Sequence, residues 1–288
     1  MTCEKTIVRG VLRRTTSGLT ASHKVAVALR NFGRKHGHWL FGMAPSKANK
    51  LSWAAFRAAL RDMDDPLGDT PPMLGLGQEL ARLLGFDKAD TAMALTMIAF
   101  KRLPYASELV EELSDAGVST PLLVGALAGA QSCDADRLVR RHPLGQLGLI
   151  YFKSDWRGRS EIRFDWTLNR LLDRQPGDVE GIVELLVGPK QRASLGLSSF
   201  DHVSEADFLL RLLKGALRER AKGVNIVIHG PPGTGKTELA RTLARAAECQ
   251  LYATGEADED GEEPSRYDRV CSFQLGQRLL RESRQRAL

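Results

Sequence analysis

The chain has 288 residues, of which 43% are hydrophobic and 26% charged, a balance that allows about two packed domains and argues against a disordered or fibrous polymer. The net charge of +6 is unevenly spread: residues 1–50 carry ten Lys and Arg against the single acid Glu4, and the remainder is slightly acidic. Cys3, Cys133, Cys249 and Cys271 lie too far apart for a C-x-x-C pair, so neither a zinc knuckle nor a disulfide framework is indicated.

Residues 1–70 read as a basic, loosely organised N-terminal segment. Such a segment suits either a solvated leader or an arm that touches nucleic acid. Helices are expected over residues 21–32 and 53–61, separated by Gly33, Gly37, Gly42 and Pro45. His36 and His38 stand two apart, with no third metal ligand evident. Asp65 to Pro72 reads as a linker.

A helical domain is expected over 71–187. Its helices cover residues 76–84, 87–100 with Asp87 as N-cap, 105–116, 121–130 and 134–141. The pattern then changes from helix to strand. Residues 147–152 and 161–166 read as two strands around a turn at 157–160. Helices followed by a hairpin is the order of a winged helix, and the segment from about 137 to 172 resembles the winged-helix module found ahead of ATPase domains in some bacterial AAA ATPases. Arg137, Arg140 and Arg141 on its candidate helix, with Arg157 and Arg159 on its turn, leave two readings open: contact with DNA, or a wing that packs against protein. The apolar stretches at 92–100 and 121–130 are too short to cross a bilayer. No secretory h-region is present, so a cytoplasmic protein without membrane contact is expected.

Residues 188–200 read as a linker, and 201–288 as an incomplete nucleotide-binding module. A helix over 205–220 is capped by Ser204, with Asp207 giving a box-like cap and Leu209, Leu210, Leu213 and Leu217 forming its stripe against a sheet. Val224 to Ile228 reads as a buried strand, residues 238–247 as a helix, 251–253 as a second strand and 270–285 as a further helix. This βαβα order implies a parallel sheet.

Between the first strand and its helix lies Gly230-Pro231-Pro232-Gly233-Thr234-Gly235-Lys236-Thr237, which fits G-x-x-x-x-G-K-[ST] at every fixed position. Glycines let backbone N–H groups turn toward one point, and the helix N-terminus adds donors and the positive end of its dipole. Lys236 supplies a charge for the β- and γ-phosphates, and Thr237 a hydroxyl for Mg²⁺. Followed by Glu238-Leu239-Ala240-Arg241, this wording resembles the AAA+ ATPase family over residues 197–288.

The resemblance implies a mainly α N-terminal region with a small winged-helix-like β element, followed by a partial α/β P-loop NTPase module. It implies ATP and ADP as ligands with Mg, a nucleotide site over Gly230 to Glu238, and Phe200 to Val203 beside the adenine. The intact protein would be a homo-oligomeric ring that remodels a protein client or acts on DNA. The family's apolar strand ending in Asp-Glu, its sensors and its arginine finger have no counterpart after Lys236. The expectation is therefore the front part of a longer protein, or a non-catalytic copy, which binds nucleotide weakly and hydrolyses it negligibly. An acidic loop at 256–263 is expected to be solvated, with substrate contact at the pore of a ring as the other reading.

Overall fold

A computed structural model describes residues 3–62, 69–128, 137–154, 160–221, 223–254, 262–281 and 286–287. The chain divides into two units, residues 1–175 and 176–288. The boundary lies twelve residues before the expected one at 187, and residues 1–70 join the helical domain instead of standing apart.

The first unit is built on helices α1 Glu4–Thr15, α2 Lys24–Lys35, α3 Gly37–Phe41, α4 Pro45–Ala48, α5 Trp53–Arg61, α6 Pro72–Leu83, α7 Lys88–Arg102, α8 Pro104–Asp115 and α9 Thr120–Leu127. Residues 137–140 are also helical, and 134–136 of the expected fifth helix lie outside the described residues. A short α10, Pro143–Gln146, leads into strands β1 Ile150–Ser154 and β2 Ser160–Phe164 and then helix α11, Trp166–Arg174. The hairpin is antiparallel, with Phe152 opposite Ile162. The expected turn at 157–160, with Arg157 and Arg159, lies almost wholly outside the described residues.

The loose N-terminal segment of the sequence reading is instead an ordered part of the core. In α1, Val8, Val11 and Leu12 are buried, and the helix packs on α8 and α9. Its charges are spent on other helices. Glu4 Oε1 accepts from the backbone N–H of Tyr105 at 2.7 Å and Ala106 at 3.0 Å, at the start of α8. Arg9 donates to the Leu40 carbonyl at 2.6 Å, Arg13 to the Leu60 carbonyl at 3.1 Å, and Arg14 to the Ala126 carbonyl. Those carbonyls lie at the C-terminal ends of α3, α5 and α9. An acid thus meets a helix N-terminus and three cations meet C-termini, the sign that matches each dipole end.

Gly33 in α2 is there for space. A Cβ at that position would lie 2.4 Å from the ring of Phe56, which is fully buried in α5. Helical glycine costs about 1 kcal/mol against alanine. Forcing a methyl group into a packed ring costs about 1–3 kcal/mol, so glycine is the favoured residue.

In the second unit, α12 Val179–Leu186 is followed by β3 Lys190–Gln191, a 3₁₀ turn Leu197–Phe200, α13 Ala206–Glu219, α14 Lys236–Ala246, β4 Gln250–Tyr252, α15 Arg266–Leu280 and β5 Arg286–Ala287. The sheet order is β3-β4-β5, antiparallel between β3 and β4 and parallel between β4 and β5. Helix α13 has Glu205 at its N-cap with no side-chain capping bond, so the expected Ser204 cap is not made. Its leucines pack on α14 instead of a sheet: Leu209, Leu210 and Leu213 surround the buried cluster of Phe200, Leu239 and Leu243.

His142 joins α10 to the core with its side chain fully buried. Its Nε2 meets the Asp90 carbonyl at 2.8 Å, and its Nδ1 accepts from the Leu144 N–H at 3.1 Å. Both nitrogens are satisfied only in the neutral ring, with the proton on Nε2. Burial pushes its pKa down, against the opposing pull of the Asp90 carbonyl and the charges of Asp90 and Asp87. A folded pKa below the unfolded value of about 6.5 means that stability is complete above that pH and is lost as pH falls below it. We expect the urea midpoint of the first unit to fall between pH 7 and 5.5. A His142→Asn chain, less stable at neutral pH, should lose that part of the slope; an unchanged slope would refute the assignment.

Candidate functional site

The octapeptide forms a curled loop. Gly230, Gly233 and Gly235 have φ of 147°, 80° and 79°, conformations that side chains rarely tolerate. Thr234 Oγ1 donates to the Pro231 carbonyl at 2.9 Å and closes the turn. Lys236 folds back over the loop, its Nζ donating to the carbonyls of Gly230 at 3.0 Å and Pro231 at 2.6 Å. Gly235 is the N-cap of α14 and, lacking a side chain, offers no capping acceptor. The first-turn amides of an eleven-residue helix therefore point toward the loop without a side-chain cap. Residues 230–235 and Thr237 are exposed. Pro231 and Pro232 cannot donate, so the N–H groups available to an anion come from Gly233 onward.

Helix α14 is held from two sides. Leu239 and Leu243 bury one stripe against Phe200, Leu209, Leu210, Leu213 and Ile228. Phe200 also supports the loop, since a Cβ on Gly235 would meet its ring at 3.6 Å. The other stripe, Glu238, Arg241, Thr242 and Arg245, binds the segment 191–195. Glu238 Oε1 accepts from the Leu195 N–H and Ser194 Oγ, both at 2.8 Å, and from the Ser194 N–H. Arg241 donates to Gln191 Oε1 at 2.7 Å, Thr242 to the Leu195 carbonyl at 3.1 Å, and Arg245 to the carbonyls of Ala193 at 3.2 Å and Leu195. The expected linker at 188–200 is thus a strap along the loop's helix.

The place of Glu238 in the motif groups it with the nucleotide ligands, but its carboxylate is engaged by the strap. The Leu195 amide, then the Ser194 hydroxyl, hold its pKa below the usual carboxylate range. The signal was present in the sequence: polar residues at i, i+3, i+4 and i+7 of α14 opposite an apolar stripe.

The segment 224–229 departs from its reading as a buried strand. Among the described residues it pairs with no strand, Val224 is 41% and Val227 83% exposed, and only Ile226 and Ile228 are half-buried. An apolar run reports what a chain can bury, while a ladder needs partners for its N–H and C=O groups. The implied parallel βαβα sheet is accordingly replaced by the β3-β4-β5 arrangement. Most of the acidic stretch, 256–261, lies outside the described residues; Glu263 pairs with Arg269 at 2.6 Å.

Elsewhere, His36 Nε2 lies 2.9 Å from Glu108. Among the described residues no group of three His, Cys, Asp or Glu side chains could hold a metal ion. No described helix is long and apolar enough to cross a membrane.

Comparison with known proteins finds one partial likeness. Over 56 residues, 18% of this chain, the sequence is 41% identical to a mitochondrial Lon protease homolog of Zea mays. The stretch spans 6% of that protein's length. No family model matches the chain, and no solved structure matches it.

Loss of the Glu238 carboxylate should loosen the strap. In a Glu238→Ala chain, the amides of Ser194 and Leu195 should exchange with solvent several-fold faster at neutral pH, as expected when a charge-assisted acceptor is removed. Unchanged exchange there would show that the arginines alone hold the strap.

Proposed function

We propose that the second unit binds ATP through the loop 230–237. The observation that carries this reading is the placement of Lys236: an ammonium curled over a loop of three left-handed glycines, at an uncapped helix start. Loop amides from Gly233 to Thr237 would take the phosphate oxygens, and Lys236 would exchange its two carbonyl partners for the β- and γ-phosphates. The exposed Thr237 hydroxyl suits the donor set for Mg²⁺, which when bound would neutralise phosphate charge. Phe200 to Val203 would border the base. The partial likeness to a Lon protease homolog supports an AAA+ relation. In the intact protein we infer a ring that couples ATP hydrolysis to remodelling a macromolecule, with the first unit as the adaptor that selects the client.

The test is equilibrium binding of a fluorescent ATP analogue with Mg²⁺. Lys236→Ala should weaken it by about tenfold or more, the size of a lost charge-assisted bond. Equal binding by both chains would overturn the site.

A second reading, DNA contact through the first unit, is favoured by the helix-then-hairpin order and by Arg137, Arg140 and Arg141 ahead of β1. Against it, Arg140 lies over the Phe152 ring at 5.5 Å and three N-terminal arginines cap helices. If this reading holds, the full chain retards duplex DNA at low salt with a steep salt dependence; no retardation at low salt ends it.

A further inference from the structure

The first unit contains a cavity of about 360 Å³ between the end of α7, one face of α8 and strand β2. Its volume is at the small end of ligand sites. Phe100, Val110 and Ile162 form its floor and are 4%, 8% and 3% exposed. Its rim holds three carboxylates, Glu111, Asp115 and Glu161, against one ammonium, Lys101, which binds Glu161 at 2.8 Å; Arg163 also pairs with Glu161, at 2.7 Å.

The geometry of β2 identifies which side of the strand the cavity touches. Successive side chains of a strand point to opposite faces, yet Glu161 and Ile162 both line this cavity. With the Glu161 carboxylate held by Lys101, which also lines the cavity, and Ile162 on the floor, the cavity is placed beside the strand. One edge of β2 is paired with β1, in a sheet that has two strands among the described residues; Thr120, at the start of α9, lines the cavity on the unpaired side.

These features select an occupant. A net negative rim disfavours phosphates and carboxylates. The described residues offer no metal-binding group of three. An apolar floor with an aromatic ring beneath a carboxylate rim suits a long alkyl stem ending in a planar cation, which can stack on the ring and pair with carboxylates in a fork. A strand edge suits an extended backbone beside it.

We propose that this cavity docks an extended polypeptide segment of a client by taking one of its arginine side chains. The inference gives the adaptor role of the first unit its chemistry. It rests on that role and not on nucleotide binding.

The test uses the full chain without nucleotide. A fluorescein-labelled heptapeptide with a central arginine flanked by valine and threonine is titrated and followed by anisotropy. Saturable binding is expected, weakening with salt and falling by about tenfold or more when the peptide's arginine is replaced by glutamate. Glu111→Lys, on an exposed position, should cause a similar loss. Ser107→Trp, which fills the cavity, should abolish binding, with circular dichroism confirming that both variants are folded. Equal binding of the arginine and glutamate peptides, or full binding by Glu111→Lys, would overturn the proposal. Competition by free arginine amide at the peptide's own concentration would also overturn it, by making the ligand a small guanidinium compound. Lys236→Ala should bind the peptide as the parent chain does, so that failure of the nucleotide site and failure of this one are separately visible.

Discussion

The second unit depends on helix α14 being gripped along two stripes at once. Leu239 and Leu243 are buried under Phe200, and Glu238, Arg241, Thr242 and Arg245 bind the strap at 191–195. Each exposed polar contact is worth little alone, on the order of 1 kcal/mol or less. Together with two buried leucines, at roughly 1.5–3 kcal/mol each, they fix the direction in which the helix start faces. That direction matters because the glycine loop has few contacts of its own: a Cβ on Gly233 would meet nothing within 4 Å. The loop's shape is therefore imposed by its helix, by Phe200 behind Gly235, and by the internal bonds of Thr234 and Lys236.

In the first unit the corresponding role falls to α1. One acid and three arginines of a single helix satisfy backbone groups at the ends of four others. These bonds connect residues 31 to 112 positions apart, so they are made only when the whole unit is assembled. The strongly basic N-terminus thus has a structural use for part of its charge. Arg9 is 6% exposed, where an uncompensated cation would be costly, and the Leu40 carbonyl answers part of that cost.

Much of this was legible in the sequence. Asp87 caps α7 as its position suggested, with Oδ1 accepting from the Asp90 N–H at 2.7 Å. Helix α8 and the hairpin strands fall within a few residues of their expected bounds, because each has an unbroken period or a clear alternation. Helix α1 was hidden by composition: Ile7, Val8, Val11 and Leu12 have helical spacing, but Gly10 and a surrounding run of cations read as a leader. The segment 224–229 failed for a different reason. Val224, Ile226, Val227 and Ile228 state a capacity for burial, and whether neighbours exist to bury them is a property of the rest of the fold. Glu238 was assigned by motif position, while its partners Ser194 and Leu195 lie more than forty residues away.

At the proposed nucleotide site, the loop's own bonding bears on how tightly a phosphate would be held. Lys236 gives its ammonium to two carbonyls, and these must be surrendered before a phosphate is engaged. The gain on binding is then a difference: ion-pair bonds from the ammonium to phosphate, minus the charge-assisted bonds to neutral carbonyls that they replace. The exchange remains favourable in sign because a carbonyl carries no full charge. The same two carbonyls keep the lysine close to the loop, so little conformational freedom is lost when a phosphate arrives. A lysine released into solvent would have stronger initial hydration and a larger ordering cost. At the proposed site, the bonds that would compete with the ligand are thus also those that would prepare the loop for it.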